Sequence, residues 1–164
     1  MDIYNKETRS RVMRSVRSKN TKPEMAVRSL LHALGCRYRL HSDVLPGSPD
    51  IVFASRRKVI FVHGCFWHQH SGCKSADRPS ANSDYWRAKL DRNMERDCKV
   101  LDATHALGWS ALVIWECETR KGDRNLLQTR LREFLGDTRL SSVNTKNMGL
   151  NSTESEGQDQ LESE

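Results

Sequence analysis

A cluster of metal-ligating side chains constrains the fold of this 164-residue chain more than any other feature. Cys65, His70 and Cys73 lie within nine residues, and a fourth thiol, Cys117, follows the apolar run 109–115. Zn²⁺ prefers such a Cys/His set, and four protein ligands leave no position open for water. The spacing therefore predicts a structural zinc that holds a polar loop against the end of a strand.

Two alternatives to this ligand set stay open at the level of sequence. The thiols could be unrelated packing residues, with Cys117 a small apolar side chain at a strand end. His63 or His68 could also replace His70 as the nitrogen ligand. The other two cysteines have no metal-like neighbours, and we expect both to be packing residues: Cys36 and Cys98.

Capping residues and apolar spacing predict three helices. Each is bounded by a cap or a glycine: Thr21 to Gly35, Ser83 or Asp84 to Gly108, and a last helix closed by Gly136. Their predicted apolar faces are Met25, Leu30, Leu31 and Leu34; Trp86, Leu90, Met94, Cys98 and Leu101; and Leu126, Leu127, Leu131 and Phe134.

Four segments have the pattern of strands. One alternates over 37–41, and three are apolar, at 51–53, 59–62 and 109–115. The residues between the second and third segments are few enough for a hairpin. The order of helices and strands indicates an α/β fold, a mixed sheet flanked by helices.

Charge is distributed unevenly along the chain. Residues 141–164 hold one of the 27 basic side chains and five of the 21 acidic ones, so the rest carries 26 basic against 16 acidic. A basic surface binds phosphate backbones by counterion release, which favours a nucleic-acid partner. We expect a basic N-terminal arm or helix (1–20), a folded domain (21–137) and a disordered acidic tail (138–164).

The amino-terminal segment lacks the apolar core of a signal peptide, and no stretch approaches the roughly 18 apolar residues of a membrane span. We therefore expect a cytoplasmic protein without a membrane partner. A reducing compartment would leave the five cysteines out of disulfides.

A second candidate site precedes the segment 51–53. Asp50 would place a carboxylate at the edge of the sheet, where it can hold Mg²⁺ together with a main-chain carbonyl. Such an ion neutralises charge on a scissile phosphate, and a nearby histidine, His68, can activate water. Phe66 and Trp67 either pack in the core or wedge into a base stack. The simpler interpretation of Asp50 is a turn before an ordinary strand.

Four segments resemble the very short patch repair endonucleases: LPGSPDIV (45–52), VIFVHGCFWH (59–68), NMERD (93–97) and GWSALVIWEC (108–117). Residues 8–14 and 21–24 also fit, so the resemblance follows the chain in order over most of its length. It implies a restriction-endonuclease-like α/β fold with a structural zinc, and makes 21–137 the endonuclease domain.

The resemblance also implies an activity. These enzymes nick double-stranded DNA on the 5′ side of the T in a T·G mismatch left by deamination of 5-methylcytosine. The implied cofactors are Mg²⁺ for cleavage and Zn²⁺ for structure. We expect a monomer that works at the bacterial nucleoid.

Roles for individual residues follow from the same resemblance. Asp50 and the Val62 carbonyl would bind Mg²⁺, while His68, oriented by Asp97, would activate water. Two further residues would support this site: Glu24 and His63. An aromatic wedge would stand beside the mismatch: Phe66, Trp67 and Trp86. Met13 would enter from the minor groove. The zinc positions would fall to Cys65, His70, Cys73 and Cys117.

This chain departs from the family pattern in two motifs. Val62 stands where the family has Thr, and the segment from His70 to Cys73 is one residue longer than in the family. Two other classes compete with the endonuclease. A non-catalytic zinc-stabilised DNA-binding module would not need Asp50, and a zinc hydrolase or deaminase would need an open zinc position, which four protein ligands exclude.

Overall fold

The structure is a computed structural model that describes residues 19–136. Met13 and nearly all of the predicted arm 1–20 lie outside the described residues, as does the predicted tail 138–164. None of the helices in the described part is long and apolar enough to cross a membrane.

Three α-helices and four strands, with short 3-10 turns between them, form the described part of the chain. The helices are α1 (Lys22–Ala33), α2 (Ser83–Ala106) and α3 (Arg124–Leu135). The strands are β1 (Arg39–Leu40), β2 (Ile51–Phe53), β3 (Lys58–His63) and β4 (Ser110–Trp115). The sheet order is β1-β2-β3-β4, with antiparallel pairing except between β3 and β4, which are parallel. The predicted mixed α/β sheet is confirmed.

Helix α1 begins and ends where its capping residues predict. The Thr21 hydroxyl accepts a hydrogen bond from the Glu24 amide at 3.3 Å, and Gly35 follows the helix with a φ of +70° that favours glycine. The predicted apolar face is wrong at Met25, which is 46% exposed, whereas Val27 is fully buried. The helical repeat from Leu31 passes through positions 27 and 24, so the buried face includes a glutamate.

The predicted apolar faces of the other two helices also need correction. In α2 the buried residues are Leu90 and Thr104, while Met94 and Cys98 are exposed, so Cys98 is not a packing residue. Helix α2 touches the sheet along a narrow line and turns most of its surface to solvent. In α3 the buried positions recur every four residues, and Leu126 is exposed. They are Leu127, Leu131 and Leu135.

The core has one apolar layer on each face of the sheet, because alternate strand residues point to opposite faces. On one face Ile51, Ile60 and Ile114 pack against α1 and α3. On the other face Val52, Val59 and Phe61 pack against Val100 and Leu101 of α2. The sheet therefore lies between two helical layers, and the N-terminus of α1 and the middle of α2 meet at the edge where β2 begins and β3 ends.

Candidate functional site

Asp50 lies at this edge, immediately before β2. Because β3 runs antiparallel to β2, its end returns to Asp50, and the Val62 amide donates a hydrogen bond to Asp50 Oδ2 at 2.7 Å. The His41 amide donates to the Asp50 carbonyl at 3.1 Å. Burial raises the pKa of Asp50, and the nearby Glu24 charge adds to this, while the Val62 hydrogen bond opposes it. A cation beside Asp50 would stabilise its ionised form.

Glu24 brings a second carboxylate to Asp50 from the first turn of α1. Its side chain is 1% exposed, and Oε1 lies 3.3 Å from His41 Nε2 and 3.5 Å from Arg28 Nη1. The other oxygen, Oε2, is buried without a hydrogen-bond partner. Ligand atoms of Glu24, His41 and Asp50 all lie within 4.8 Å of one another. A buried oxygen without a protein partner fits a role as a cation ligand, so these residues suit a divalent metal.

Sequence reasoning missed His41. It directly follows the strand β1, which pairs with β2 in the register that places Leu40 opposite Ile51. His41 therefore lies beside Asp50 across the β1–β2 pair. This position can be recognised only when the register of the two strands is known.

His63, His68 and Asp97 form a second group. Asp97 on α2 places Oδ2 2.5 Å from His68 Nδ1. The His63 and His68 rings stack with centroids 3.8 Å apart and an interplanar angle of 12°. Burial, helped by the neighbouring His68, lowers the pKa of His63 to about 4, so His63 is neutral at neutral pH. With Nδ1 bonded to Asp97, His68 keeps Nε2 available for a water molecule.

A cleft of about 930 Å³ connects the two groups. The candidate metal-binding and catalytic residues that line it are His41, Asp50, Val62, His63, His68 and Asp97. Three cationic side chains also line it: Lys19, Lys89 and Arg96. Three carboxylates line the cleft as well: Asp50, Asp97 and Glu116. The three cationic side chains therefore suit individual contacts with backbone phosphates.

Cys65, His70, Cys73 and Cys117 come together beside the cleft, with ligand atoms within 4.8 Å of one another. His70 Nδ1 lies 3.7 Å from Cys65 Sγ and 3.3 Å from Cys117 Sγ. A tetrahedral zinc with ordinary bond lengths would separate such atoms by about 3.6 Å, so the donor set fits zinc. The structure brings His70 to the thiols, while the other two candidate histidines belong to the group around Asp97: His63 and His68.

The long spacing between His70 and Cys73 is taken up by a turn. The Cys73 amide donates to the His70 carbonyl at 3.2 Å, and Gly72 has a φ of +72°. The His70 ring stacks on Trp115 with centroids 4.3 Å apart. Burial raises the pKa of Cys65 to about 12, so a thiolate there requires a cation.

The three predicted wedge residues form one partly exposed aromatic cluster. The Phe66 ring lies 5.1 Å from Trp67 and 5.3 Å from Trp86, between centroids. Two residues that sequence reasoning missed complete the cluster: Tyr85 and Lys89. Lys89 Nζ is 5.4 Å from the Trp67 ring centroid, which joins the cluster to the cationic lining of the cleft.

Comparisons with known proteins show which proteins this chain is similar to. The family profile described as DNA mismatch endonuclease Vsr matches residues 1–74. The type II nicking enzyme V.XorIIP of Xanthomonas oryzae is 52% identical over 134 residues, which is 82% of this chain and 96% of that enzyme. The DNA mismatch endonuclease Vsr of Escherichia coli is 35% identical over 153 residues, 91% of this chain and 97% of that protein. The type II nicking enzyme V.NmeAIP of Neisseria meningitidis is 42% identical over 119 residues, 73% of this chain and 84% of the relative.

Proposed function

Because this chain belongs to the Vsr family of DNA mismatch endonucleases, we propose that it nicks one DNA strand on the 5′ side of the T in a T·G mismatch. The coarser activity, a DNA endonuclease of mismatch repair, comes with family membership. We further propose that the protein recognises the T·G mismatch, cuts at that position and uses Mg²⁺. We also propose that it acts as a monomer at the bacterial nucleoid and that its fold is restriction-endonuclease-like.

One observation carries the proposal: a carboxylate pair, of which Glu24 is buried and Asp50 half-buried, lies at the same sheet edge as a His–Asp pair. Asp50 and Glu24 have ligand atoms within 4.8 Å of a common neighbour, while His68 is held by Asp97 at 2.5 Å. Asp50, His68 and Asp97 all line the cleft that Lys19, Lys89 and Arg96 also line. A DNA-binding module needs no such pairing of a metal-ligand set with a base, and burying carboxylates costs stability.

Mg²⁺ held by Asp50 and the Val62 carbonyl would supply Lewis-acid stabilisation of negative charge on the scissile phosphate. The Thr that the family has in place of Val62 does not matter here, because a carbonyl ligand is independent of the side chain. Glu24 would support the same site through its free oxygen.

The protein's own groups perform the proton transfer. Asp97 Oδ2 accepts a hydrogen bond from His68 Nδ1–H and thereby directs Nε2 towards the cleft. His68 Nε2 takes a proton from the attacking water as the water oxygen bonds to phosphorus. The bond from phosphorus to the leaving deoxyribose oxygen breaks, and that oxygen takes up a proton from solvent water. His63, neutral and stacked on His68, limits rotation of that ring. Lys19 and Arg96 in the cleft lining bind the flanking phosphates.

The four-ligand zinc at Cys65, His70, Cys73 and Cys117 would be structural. The loop that it closes also contains His68, so the metal would hold the proposed base at a fixed distance from Asp50. Four protein ligands disfavour a zinc hydrolase or deaminase, which needs an open position.

The aromatic cluster is proposed as the wedge beside the mismatch. Phe66, Trp67 and Trp86 are partly exposed and contact one another. A T·G pair is less well stacked than a matched pair, so unstacking it costs less, and this difference favours the mismatch. Met13, outside the described residues, is proposed to enter from the minor groove.

The test is a nicking assay on labelled duplexes that differ in one base pair, with T·G, T·A and C·G at the same position and Mg²⁺ present. We expect the wild-type protein to nick the T strand of the T·G duplex. Asp50→Asn should bind this duplex without nicking it, and Asp43→Asn, an exposed change in the preceding loop, should behave as wild type.

Two results would overturn the proposal. Equal nicking of matched and mismatched duplexes would remove the T·G specificity. Full activity of Asp50→Asn, or no nicking by any protein on any duplex, would remove the proposed cleavage site.

A further inference from the structure

The site around Asp50 contains a nitrogen donor that the proposed function does not use. The exposed fraction of Glu24 is 1%, and its Oε2 has no hydrogen-bond partner. His41 Nε2 is likewise buried without a hydrogen bond, although it lies 3.3 Å from Glu24 Oε1. Unpaired buried polar atoms are costly, so two of them facing one carboxylate site indicate a shared partner.

His41 is held at this site by its backbone. Its amide donates to the Asp50 carbonyl, and its φ of +49° lies in the left-handed region, which is unfavourable for a residue with a Cβ. The side chain is 18% exposed and lines the cleft. Such strain persists when the surrounding structure compensates for it, and a ligand role for the imidazole would do so.

We propose that His41 is a nitrogen ligand of the cleavage-site metal, together with Glu24 and Asp50, and that this nitrogen raises the affinity of the site for Mn²⁺ relative to Mg²⁺. The inference rests on the proposed metal at Asp50. Mg²⁺ binds carboxylates, phosphates and water and keeps much of its hydration. Mn²⁺ also binds oxygen ligands. In addition it belongs to the first-row transition metals, whose affinities for sites with mixed nitrogen and oxygen ligands follow a common order.

A protonated His41 that forms an ion pair with Glu24 is the competing arrangement. It would satisfy Glu24 Oε1 but would place a positive charge beside Asp50 and repel a divalent cation. The two arrangements differ in whether the nitrogen of His41 is bonded to the metal, and that bond can be observed directly.

The experiment uses Mn²⁺ as the probe, because its unpaired electrons report coupled ¹⁴N nuclei in pulsed electron paramagnetic resonance. Soft thiolate ligands select against Mn²⁺, so the Cys/His site does not interfere. Full-length wild-type protein, His41→Gln, His41→Asn, Asp50→Asn and the exposed control His32→Gln are titrated with Mn²⁺ and then with competing Mg²⁺. Circular dichroism verifies that each variant is folded.

We expect ¹⁴N coupling in the wild type and in His32→Gln, and its loss in both His41 variants. Loss of one ligand should weaken Mn²⁺ binding about tenfold or more and change Mg²⁺ binding much less. His68→Gln should retain the coupling, because His68 is engaged with Asp97.

Bound Mn²⁺ without nitrogen coupling in the wild type would overturn the inference, whatever the stability of the variants. So would coupling that persists in folded His41→Gln. If Asp50→Asn abolishes Mn²⁺ binding in those cases, the proposed cleavage metal survives and His41 alone is excluded. Unchanged Mn²⁺ binding in Asp50→Asn would instead contradict the proposed metal position, and the inference with it.

Discussion

Nδ1 of His68 lies 2.5 Å from Oδ2 of Asp97, which joins the loop after β3 to the middle of α2. Only one tautomer of a neutral His68 makes this hydrogen bond as a donor, so Asp97 determines which nitrogen faces the cleft. The side chains of both residues are well shielded, at 21% and 16% exposed. The pair therefore has the arrangement of a base and the group that orients it.

Replacing Asp97 by Asn should lower the single-turnover nicking rate on the order of 10²–10⁴-fold, as expected for loss of an oriented base. An amide in that position can hold the wrong tautomer of His68. The fold and DNA binding should be retained, which gel shift and thermal unfolding measure. Asp102→Asn, exposed on the same helix, is the control, and a similar loss of rate in it would contradict the assignment.

Removal of one thiol should separate structural from catalytic roles. We expect Cys73→Ala to lose bound zinc and about 3 kcal/mol or more of stability, which lowers the melting temperature by about 10 °C. Elemental analysis counts the zinc, and calorimetry measures the melting temperature. His68→Ala should abolish nicking and keep zinc, and the exposed Cys98→Ala should change neither. Equal melting losses in Cys73→Ala and His68→Ala would show that the division of roles is wrong.

The protein should become less stable as the pH is lowered, because His63 is buried in its neutral form. Its pKa is about 4 in the folded protein against an ordinary value of 6.5, so the unfolded chain binds the extra proton between these values. The contribution is complete above 6.5 and decreases as the pH falls towards 4, by about 2 kcal/mol between pH 6.5 and roughly pH 5. Urea unfolding of wild type and His63→Gln at both pH values measures it. The difference between the two proteins should shrink at the lower pH, and a constant difference would exclude His63 as the cause.

Core substitutions in α1 should distinguish its true buried face from the predicted one. Leu31→Ala removes a fully buried side chain and should cost about 2–5 kcal/mol of unfolding free energy. Met25→Ala changes a half-exposed side chain and should cost less than about 1 kcal/mol. Denaturant unfolding checks both. Similar losses at the two positions would mean that Met25 is buried in solution.

Features that depend on neighbouring residues were predictable. Thr21, Gly35 and Gly136 mark helix ends because capping involves only the adjacent turn. The strands at 51–53 and 59–62 follow from apolar runs joined by a turn too short for another connection. The helix faces were less accurate, since a few apolar residues such as Met25 fit more than one helical stripe.

The sequence by itself determined the elements of this protein, their order and the residue types available for metal and base chemistry, because propensity, capping and ligand preference act within a few residues. Only the tertiary structure decided which of those groups meet. The parallel pairing of β3 with β4 brings Cys117 to the His70 loop, and the β1–β2 register brings His41 to Asp50 and the buried Glu24. These approaches join residues far apart in the chain, and they depend on strand register and helix packing, which local patterns do not specify.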